Sequence, residues 1–263
     1  MLTISQYVKA ESLDEAYELC QKKNNVVLGG MLWLKMQRRK VGTAIDLGAL
    51  GLDTVEETAD EYRIGAMVPL RALETHAGLH ALTQGAMAGA VEHIVGVQFR
   101  NCATVGGSLY GRFGFSDVLT LFLALDAKVE LHRAGIMPLA AFVDMPRTTR
   151  DILVRVIVPK TEKRVVYLSQ RNVSTDFPVL TVALAEQGGA YTCAVGARPM
   201  PAVAFHDDKG FFGSGVTEET ARAFAEDIAA RCPVGGNRRA GAAYRREICR
   251  VLVRRAAIQL GEG

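Results

Sequence analysis

The stretch Phe99-Arg100-Asn101-Cys102-Ala103-Thr104-Val105-Gly106-Gly107-Ser108 separates two apolar segments, one with helical spacing over residues 79–95 and one nearly unbroken over 118–125. Its Gly-Gly step interrupts the helical pattern and predicts a glycine turn between two structured pieces. An earlier pair, Gly29-Gly30, follows the short β-type segment Val26-Val27-Leu28 and precedes a predicted helix over residues 32–38. Without a Cβ in the way, such a step lets backbone N–H groups approach an anionic group such as a diphosphate. Taken singly, each pair is an ordinary way to make a tight turn. Neither fits G-x-G-x-x-G or G-x-x-x-x-G-K-S/T, which argues against a dinucleotide fold of that type and against a P-loop.

Outward from these stretches, Ser12-Leu13-Asp14-Glu15 predicts a capping box, with the Ser12 hydroxyl and the Glu15 carboxylate each taking a free backbone N–H of the other. Residues 44–47 and 62–66 read as strands, and Val68-Pro69-Leu70 opens a helix with proline in its first turn. The run 118–125 is apolar enough for a fully buried helix. Residues 128–131, 152–158, 165–168, 179–185 and 191–195 are β-rich or alternating, and those after Pro159 predict an antiparallel meander. Helices over 218–230 and 242–258 finish the chain, the second with an apolar stripe of Tyr244, Ile248, Val251 and Leu252 opposite Arg246, Arg250 and Arg254. A domain boundary is expected at residues 159–162.

The 263 residues are 49% apolar and 22% charged, with a net charge of +3, which excludes a disordered tail. Residues 231–263 hold eight Arg against two Glu, whereas the preceding chain carries 23 basic and 26 acidic residues. Set into a helical pattern without interleaved aromatics, these arginines read as a solvated or partner-facing helix face rather than a nucleic-acid patch. The longest apolar stretches are far below the ~20 residues that cross a bilayer. No secretory signal is visible, so the expected compartment is the cytoplasm. Cys20, Cys102, Cys193, Cys232 and Cys249 lie far apart in sequence and give neither a zinc nor an iron–sulfur spacing. The five His form no ligand spacing, and no Ser/His/Asp set is available, so catalytic and metal-ligating residues are both expected to be absent.

Order and flanks raise the two glycine stretches above ordinary turns. Val27-Leu28-Gly29-Gly30 precedes a predicted helix; Ile64-Gly65-Ala66-Met67-Val68-Pro69-Leu70-Arg71-Ala72-Leu73-Glu74 forms a strand and helix; and the quoted Phe99 to Ser108 stretch is followed by Ser116-Asp117 and Leu123-Ala124-Leu125-Asp126-Ala127. With Ile152-Leu153-Val154-Arg155-Val156-Ile157-Val158-Pro159 and Ala243-Tyr244-Arg245-Arg246, these segments resemble the FAD-binding (medium) subunit of molybdenum hydroxylases, the xanthine dehydrogenase and carbon monoxide dehydrogenase group. The resemblance runs over nearly the whole chain.

The resemblance implies an α+β fold. A two-subdomain PCMH-type FAD-binding domain would occupy residues 1–160, its subdomains meeting near 50–60, and a small domain of antiparallel sheet plus helices would occupy 161–263, similar to the carbon monoxide dehydrogenase flavoprotein C-terminal domain. It implies FAD held by Val27, Leu28, Gly29, Gly30, Met31, Leu32 and Trp33 on one side and by Thr104, Val105, Gly106, Gly107 and Ser108 on the other, through backbone amides and the Thr104 and Ser108 hydroxyls. Asp117 would hold a polar part of the cofactor, or cap the helix starting at Val118. Leu153 would pack near the isoalloxazine or ribityl group. The implied partners are a molybdopterin-binding large subunit and a [2Fe-2S] small subunit, with NAD as a possible electron acceptor.

This chain departs from the family in having Met31-Leu32-Trp33 where small polar residues are usual, Ser108 for Asn, and an aromatic insertion at residues 113–115. It has no lysine over residues 165–170, where relatives place a cation that favours the anionic reduced flavin. Arg112 reads either as a phosphate partner or as a solvated loop residue, and Trp33 as core or as a stacking surface. Residues 113–115 and the arginines of the last helix are candidate docking surfaces. The alternative to an electron-transfer subunit is an assembly or scaffold subunit that has lost tight FAD binding.

Overall fold

The N-terminal β-strand β1 (Thr3–Lys9) leads into helix α1 (Leu13–Cys20), whose start is fixed by side-chain chemistry. The Ser12 hydroxyl accepts the Glu15 N–H at 3.1 Å, and the Glu15 carboxylate accepts an N–H at 2.8 Å. That second donor is Glu11, one residue before the expected one. The computed structural model describes residues 1–262.

Strands β2 (Val26–Val27) and β3 (Lys40–Asp46) complete a parallel sheet in the order β1-β3-β2. Between β2 and β3 the expected helix over 32–38 is a single 3-10 turn at Leu34–Met36. Gly30 and Met31 both have positive φ, at 80° and 61°, and Gln37 is already extended. The room left between those points holds no longer helix.

The next unit is a five-stranded antiparallel sheet in the order β4-β5-β8-β6-β7, from β4 (Val55–Glu57), β5 (Glu61–Gly65), β6 (Lys128–Leu131), β7 (Gly135–Pro138) and β8 (Leu153–Pro159). Six helices lie between β5 and β6: α2 (Leu70–Thr75), α3 (Ala77–Leu82), α4 (Ala86–Val91), α5 (Val97–Cys102), α6 (Val105–Tyr110) and α7 (Asp117–Ala124). An eighth, α8 (Leu139–Asp144), precedes β8. The helix expected over 79–95 is split into α3 and α4 because Gly85, at φ 87°, turns the chain left-handed between them. Pro69 caps α2 rather than entering its first turn. The glycine pair at 106–107 is the first turn of α6, not a free loop, with Thr104 as its cap.

All eight residues of α7 are buried, as its apolar composition on every face requires. It packs against the third sheet, a meander of β9 (Arg164–Gln170), β10 (Leu180–Gln187), β11 (Ala190–Gly196) and β12 (Val203–His206) in the order β12-β11-β10-β9. Strand β10 alternates its loyalties: Ala183 and Ala185 join the core around α7, while Leu180, Val182 and Leu184 join a second core under α9 (Glu218–Arg231) and α10 (Ala242–Glu262). Thr120 of α7 and Thr181 of β10 share a buried hydrogen bond at 2.9 Å. The N-terminal unit is fastened by Arg150, whose guanidinium donates to the carbonyls of Cys20, Lys22 and Lys23 at 2.7–3.0 Å.

In the C-terminal half, Cys193, Cys232 and Cys249, distant in sequence, share one core as free thiols, and burial pushes the Cys193 thiol up. One feature there differs from expectation. The buried face of α10 is one residue out of phase with the expected stripe: Tyr244 is exposed, whereas Arg245 is fully buried. Its guanidinium donates to the Val179, Gly235 and Ala240 carbonyls and to Asn237 Oδ1 at 2.6–2.9 Å, so a cage of neutral acceptors replaces a carboxylate. Of the arginines expected to dock a partner, Arg250 is paired with Glu226 and Glu247 of this same chain.

Lys163, between β8 and β9, is the converse case: it is 3% exposed and its ammonium has no hydrogen-bond partner among the described residues. Burial holds its pKa below the ordinary lysine value. The unfolded chain therefore binds more protons than the native state between the two values, and stability rises with pH across that window. Lys163→Met is expected to stabilise the protein by about 1–2 kcal/mol and to flatten that alkaline rise, read by thermal melts from pH 7 to 10. Arg245→Met leaves four acceptors without donors and is expected to cost about 3 kcal/mol in chemical denaturation.

Candidate functional site

The two glycine stretches meet backbone to backbone. A Cβ added to Gly29 would lie 3.0 Å from Gly107 Cα and 3.1 Å from Thr104 Oγ1, and one added to Gly107 would lie 2.9 Å from the Gly29 carbonyl. At Gly30 the added atom would be 1.9 Å from the Cys102 carbonyl oxygen. Any side chain at these positions pushes the loops apart. Met31, which follows, is held in the left-handed region, a strain of about 1–2 kcal/mol for a residue with a Cβ.

The loops differ in what they offer a ligand. None of the N–H groups from Gly29 to Trp33 donates to an acceptor among the described residues; the last committed amide before them is Leu28, bonded to the Ile45 carbonyl at 2.8 Å. In the second stretch, Val105 donates to the Val68 carbonyl, Gly106 to the Ala66 carbonyl, Gly107 to Thr104 Oγ1 and Ser108 to the Thr104 carbonyl, all at 2.7–3.1 Å. The Ser108 hydroxyl donates back to the Thr104 carbonyl. Free donors are therefore concentrated in the first loop, and the expectation that amides of both stretches wrap a diphosphate meets amides already engaged in the second. What the second stretch supplies is close approach.

Around this junction lies a cavity of about 660 Å³, within the ~300–1,000 Å³ of small-molecule and cofactor sites. Val27, Leu28, Gly29, Met31, Leu32, Trp33, Thr104, Gly106, Gly107, Ser108, Asp117 and Leu153 all line it. Gly30 and Val105 do not: Gly30 abuts the Cys102 backbone and Val105 is fully buried in the core. Trp33 is neither core nor free, because its ring packs edgewise on Phe99 and Phe115 and tilted on Phe177, with centroids 5.4–6.0 Å apart. Phe113 and Phe115 stack at 5.2 Å and face the same cavity, so the aromatic insertion is an inner wall rather than an exposed docking surface. Arg112 is buried over the Phe142 ring, donating to the Phe142 and Met145 carbonyls, and so is neither solvated nor a phosphate partner.

Asp117 does not cap α7. Ser116 does, its hydroxyl accepting the Leu119 N–H at 3.1 Å, and Asp117 is thereby the first helical residue with its carboxylate turned to the cavity. Oδ1 accepts the Tyr167 hydroxyl at 2.5 Å and also the Arg171 guanidinium, and both charged side chains are almost completely buried. Burial pushes the Asp117 carboxyl up to about 6, against the opposing pull of Arg171 and Tyr167. The same burial, with the neighbouring carboxylate, raises the Tyr167 hydroxyl well above its ordinary value.

Sequence reasoning missed Tyr167, Arg171 and Phe177, which β9 and the following loop bring in from beyond the expected boundary. The available signal was the position of Arg171, one residue past the segment searched for a lysine. Among the described residues no three His, Cys, Asp or Glu side chains come together as a metal site, and no helix is long and apolar enough to cross a membrane.

Comparison with known proteins agrees with this geometry. Residues 3–161 match the model of the family described as the FAD binding domain in molybdopterin dehydrogenase. The glyceraldehyde dehydrogenase medium chain of Sulfolobus acidocaldarius is 24% identical over 95% of this chain and 96% of its own length. The nicotine 6-hydroxylase medium subunit of Paenarthrobacter nicotinovorans is 30% identical over 48% of this chain and 47% of its own. Among solved structures, carbon monoxide dehydrogenase from Hydrogenophaga pseudoflava aligns with a TM-score of 0.85 at 21% identity, over 97% of this chain and 96% of the other. Quinoline 2-oxidoreductase from Pseudomonas putida 86 aligns at 0.84 and 19%, over 100% and 98%. The α+β fold is that of these solved structures, and with a cavity built on two abutting glycine stretches the chain belongs to the family of FAD-binding domains in molybdopterin dehydrogenases, as an oxidoreductase component.

Proposed function

We propose that this chain is the FAD-carrying electron-transfer subunit of a molybdenum hydroxylase complex in the cytoplasm. In this reading a molybdopterin-binding large subunit hydroxylates the substrate, a [2Fe-2S] small subunit relays the electrons, and this chain passes them to an acceptor such as NAD. Residues 1–160 form the flavin-binding domain and 161–263 a C-terminal domain that contributes Arg171 and Phe177 to the cavity wall, with Tyr167 behind it on Asp117. FAD, when bound, supplies the redox chemistry, turning single electrons into a pair that can leave as hydride.

The chain's own residues supply position and charge. The observation that carries the reading is the row of unengaged amides from Gly29 to Trp33 at the edge of the cavity, an anion-binding concavity of the kind a diphosphate fills. The fit is favourable: the bare backbone at Gly29 and Gly107 lets the two loops abut, a Cβ at either would force them apart, and Met31 and Leu32 contribute backbone without competing side-chain charge. Leu153, at the start of β8, offers an apolar wall, and the packed rings of Trp33, Phe115 and Phe177 add an aromatic one that excludes water.

Purified, undenatured protein is expected to show a flavin absorption spectrum or to acquire one on incubation with FAD. Gly29→Ala is expected to weaken FAD binding at least about tenfold, roughly 1.4 kcal/mol, by spreading the two loops. Gly89→Ala, where an added Cβ meets nothing within 4 Å, is the control and should bind as the parent does. Flavin fluorescence titration reads both. A well-folded, colourless protein that takes up no FAD would return the scaffold reading.

A further inference from the structure

The cavity wall carries a buried cation and a buried carboxylate that pair with each other. Arg171 is immobilised through all three guanidinium nitrogens: Nε donates to Ser169 Oγ at 3.2 Å, Nη1 to the Asp176 carbonyl at 2.6 Å, and Nη2 to Asp117 Oδ1. Since Tyr167 donates to that same Oδ1, Asp117 Oδ2 has no side-chain donor, and Asp117 and Arg171 both line the cavity. Tyr167 and Arg171 are the titratable groups acting on Asp117. The Asp176 carboxylate also feels Arg171 but is paired with Arg239 at 3.0 Å, so Asp117 is the carboxylate in direct contact with the Arg171 guanidinium.

Building on the FAD reading above, we propose that Arg171, positioned by Asp117 and Tyr167, is the positive charge beside the flavin ring in this chain, and that Asp117 takes up a proton when the ring is reduced. Two electrons from the iron–sulfur carrier and one proton from water convert the oxidised ring to its reduced anion. That anion competes with the Asp117 carboxylate for Arg171, so a second proton from water goes to Oδ2, forming an O–H bond and leaving Arg171 to face the ring charge alone. Burial has already brought the carboxyl to about 6, so a further rise of little more than a unit carries it across neutral pH. Arg171 thereby takes the place of the lysine that β9 lacks, with a charge that is exposed only when reduction calls for it.

The test is the midpoint potential of FAD-loaded protein against pH from 6 to 8.5, with the near-ultraviolet spectrum of the reduced flavin showing whether the ring itself is protonated. The wild type is expected to take up two protons per two electrons over part of that range while the ring spectrum stays that of the anion; Asp117→Asn is expected to take up one. Tyr167→Phe keeps the pair but removes a donor that favours the carboxylate, and is expected to move the two-proton window to higher pH. Equal proton counts in the wild type and Asp117→Asn, or a second proton found on the ring, would overturn the inference alone. If Asp117→Asn does not load, an unmoved window in Tyr167→Phe overturns it equally. A wild type that binds no FAD removes the parent reading and this one with it.

Discussion

Everything at the cavity depends on two backbones touching without side chains between them. Gly29 and Gly30 lie against the segment from Cys102 to Gly107, and the separation is set by the absence of a Cβ at three positions. That contact fixes the first loop in a strained left-handed path at Gly30 and Met31, and the path leaves the amides from Gly29 onward without internal partners. Strain and unmade hydrogen bonds are costs that persist where the surrounding structure over-determines them. Here the surroundings are the parallel sheet behind the first loop and α6 behind the second, the latter bonded through Gly106 to Ala66 at the end of β5.

Helix α7 connects this junction to the rest of the molecule. Because it is buried on every side, it ties the core of the antiparallel β4–β8 sheet to the C-terminal meander, and its first residue delivers Asp117 into the cavity. The meander in turn delivers Tyr167 and Arg171 to that carboxylate and Phe177 to the aromatic wall. The C-terminal half is thus part of the site, although the family match ends at residue 161. A buried carboxylate shared by a phenol and a guanidinium is expensive to assemble and strongly biased in charge, which makes it a natural place for electrostatic control of a bound redox group.

Legibility varied with how local the deciding physics was. The buried helix at 117–124, the antiparallel meander and both C-terminal helices follow from apolar pattern and β-branched content, which act within a few residues. Strand β1 was invisible, because it is exposed along almost its whole length and carries no alternation to read. The helix at 79–95 is broken by the left-handed Gly85 inside it, and the one at 32–38 is confined between the left-handed Met31 before it and the extended Gln37. The phase of α10 was misread by one residue because a fully buried arginine looks, in sequence, like a solvated one.

For the site, the sequence by itself determined where bare backbone would occur and that it would occur twice, since only glycine removes the Cβ and its positions are written in the chain. Which amides remain free and that Arg171 and Tyr167 converge on one carboxylate oxygen were decided by the tertiary structure alone. The physical reason is that hydrogen bonding and charge pairing act across a few ångströms between residues 50 or more positions apart, a separation that neither periodicity nor spacing encodes.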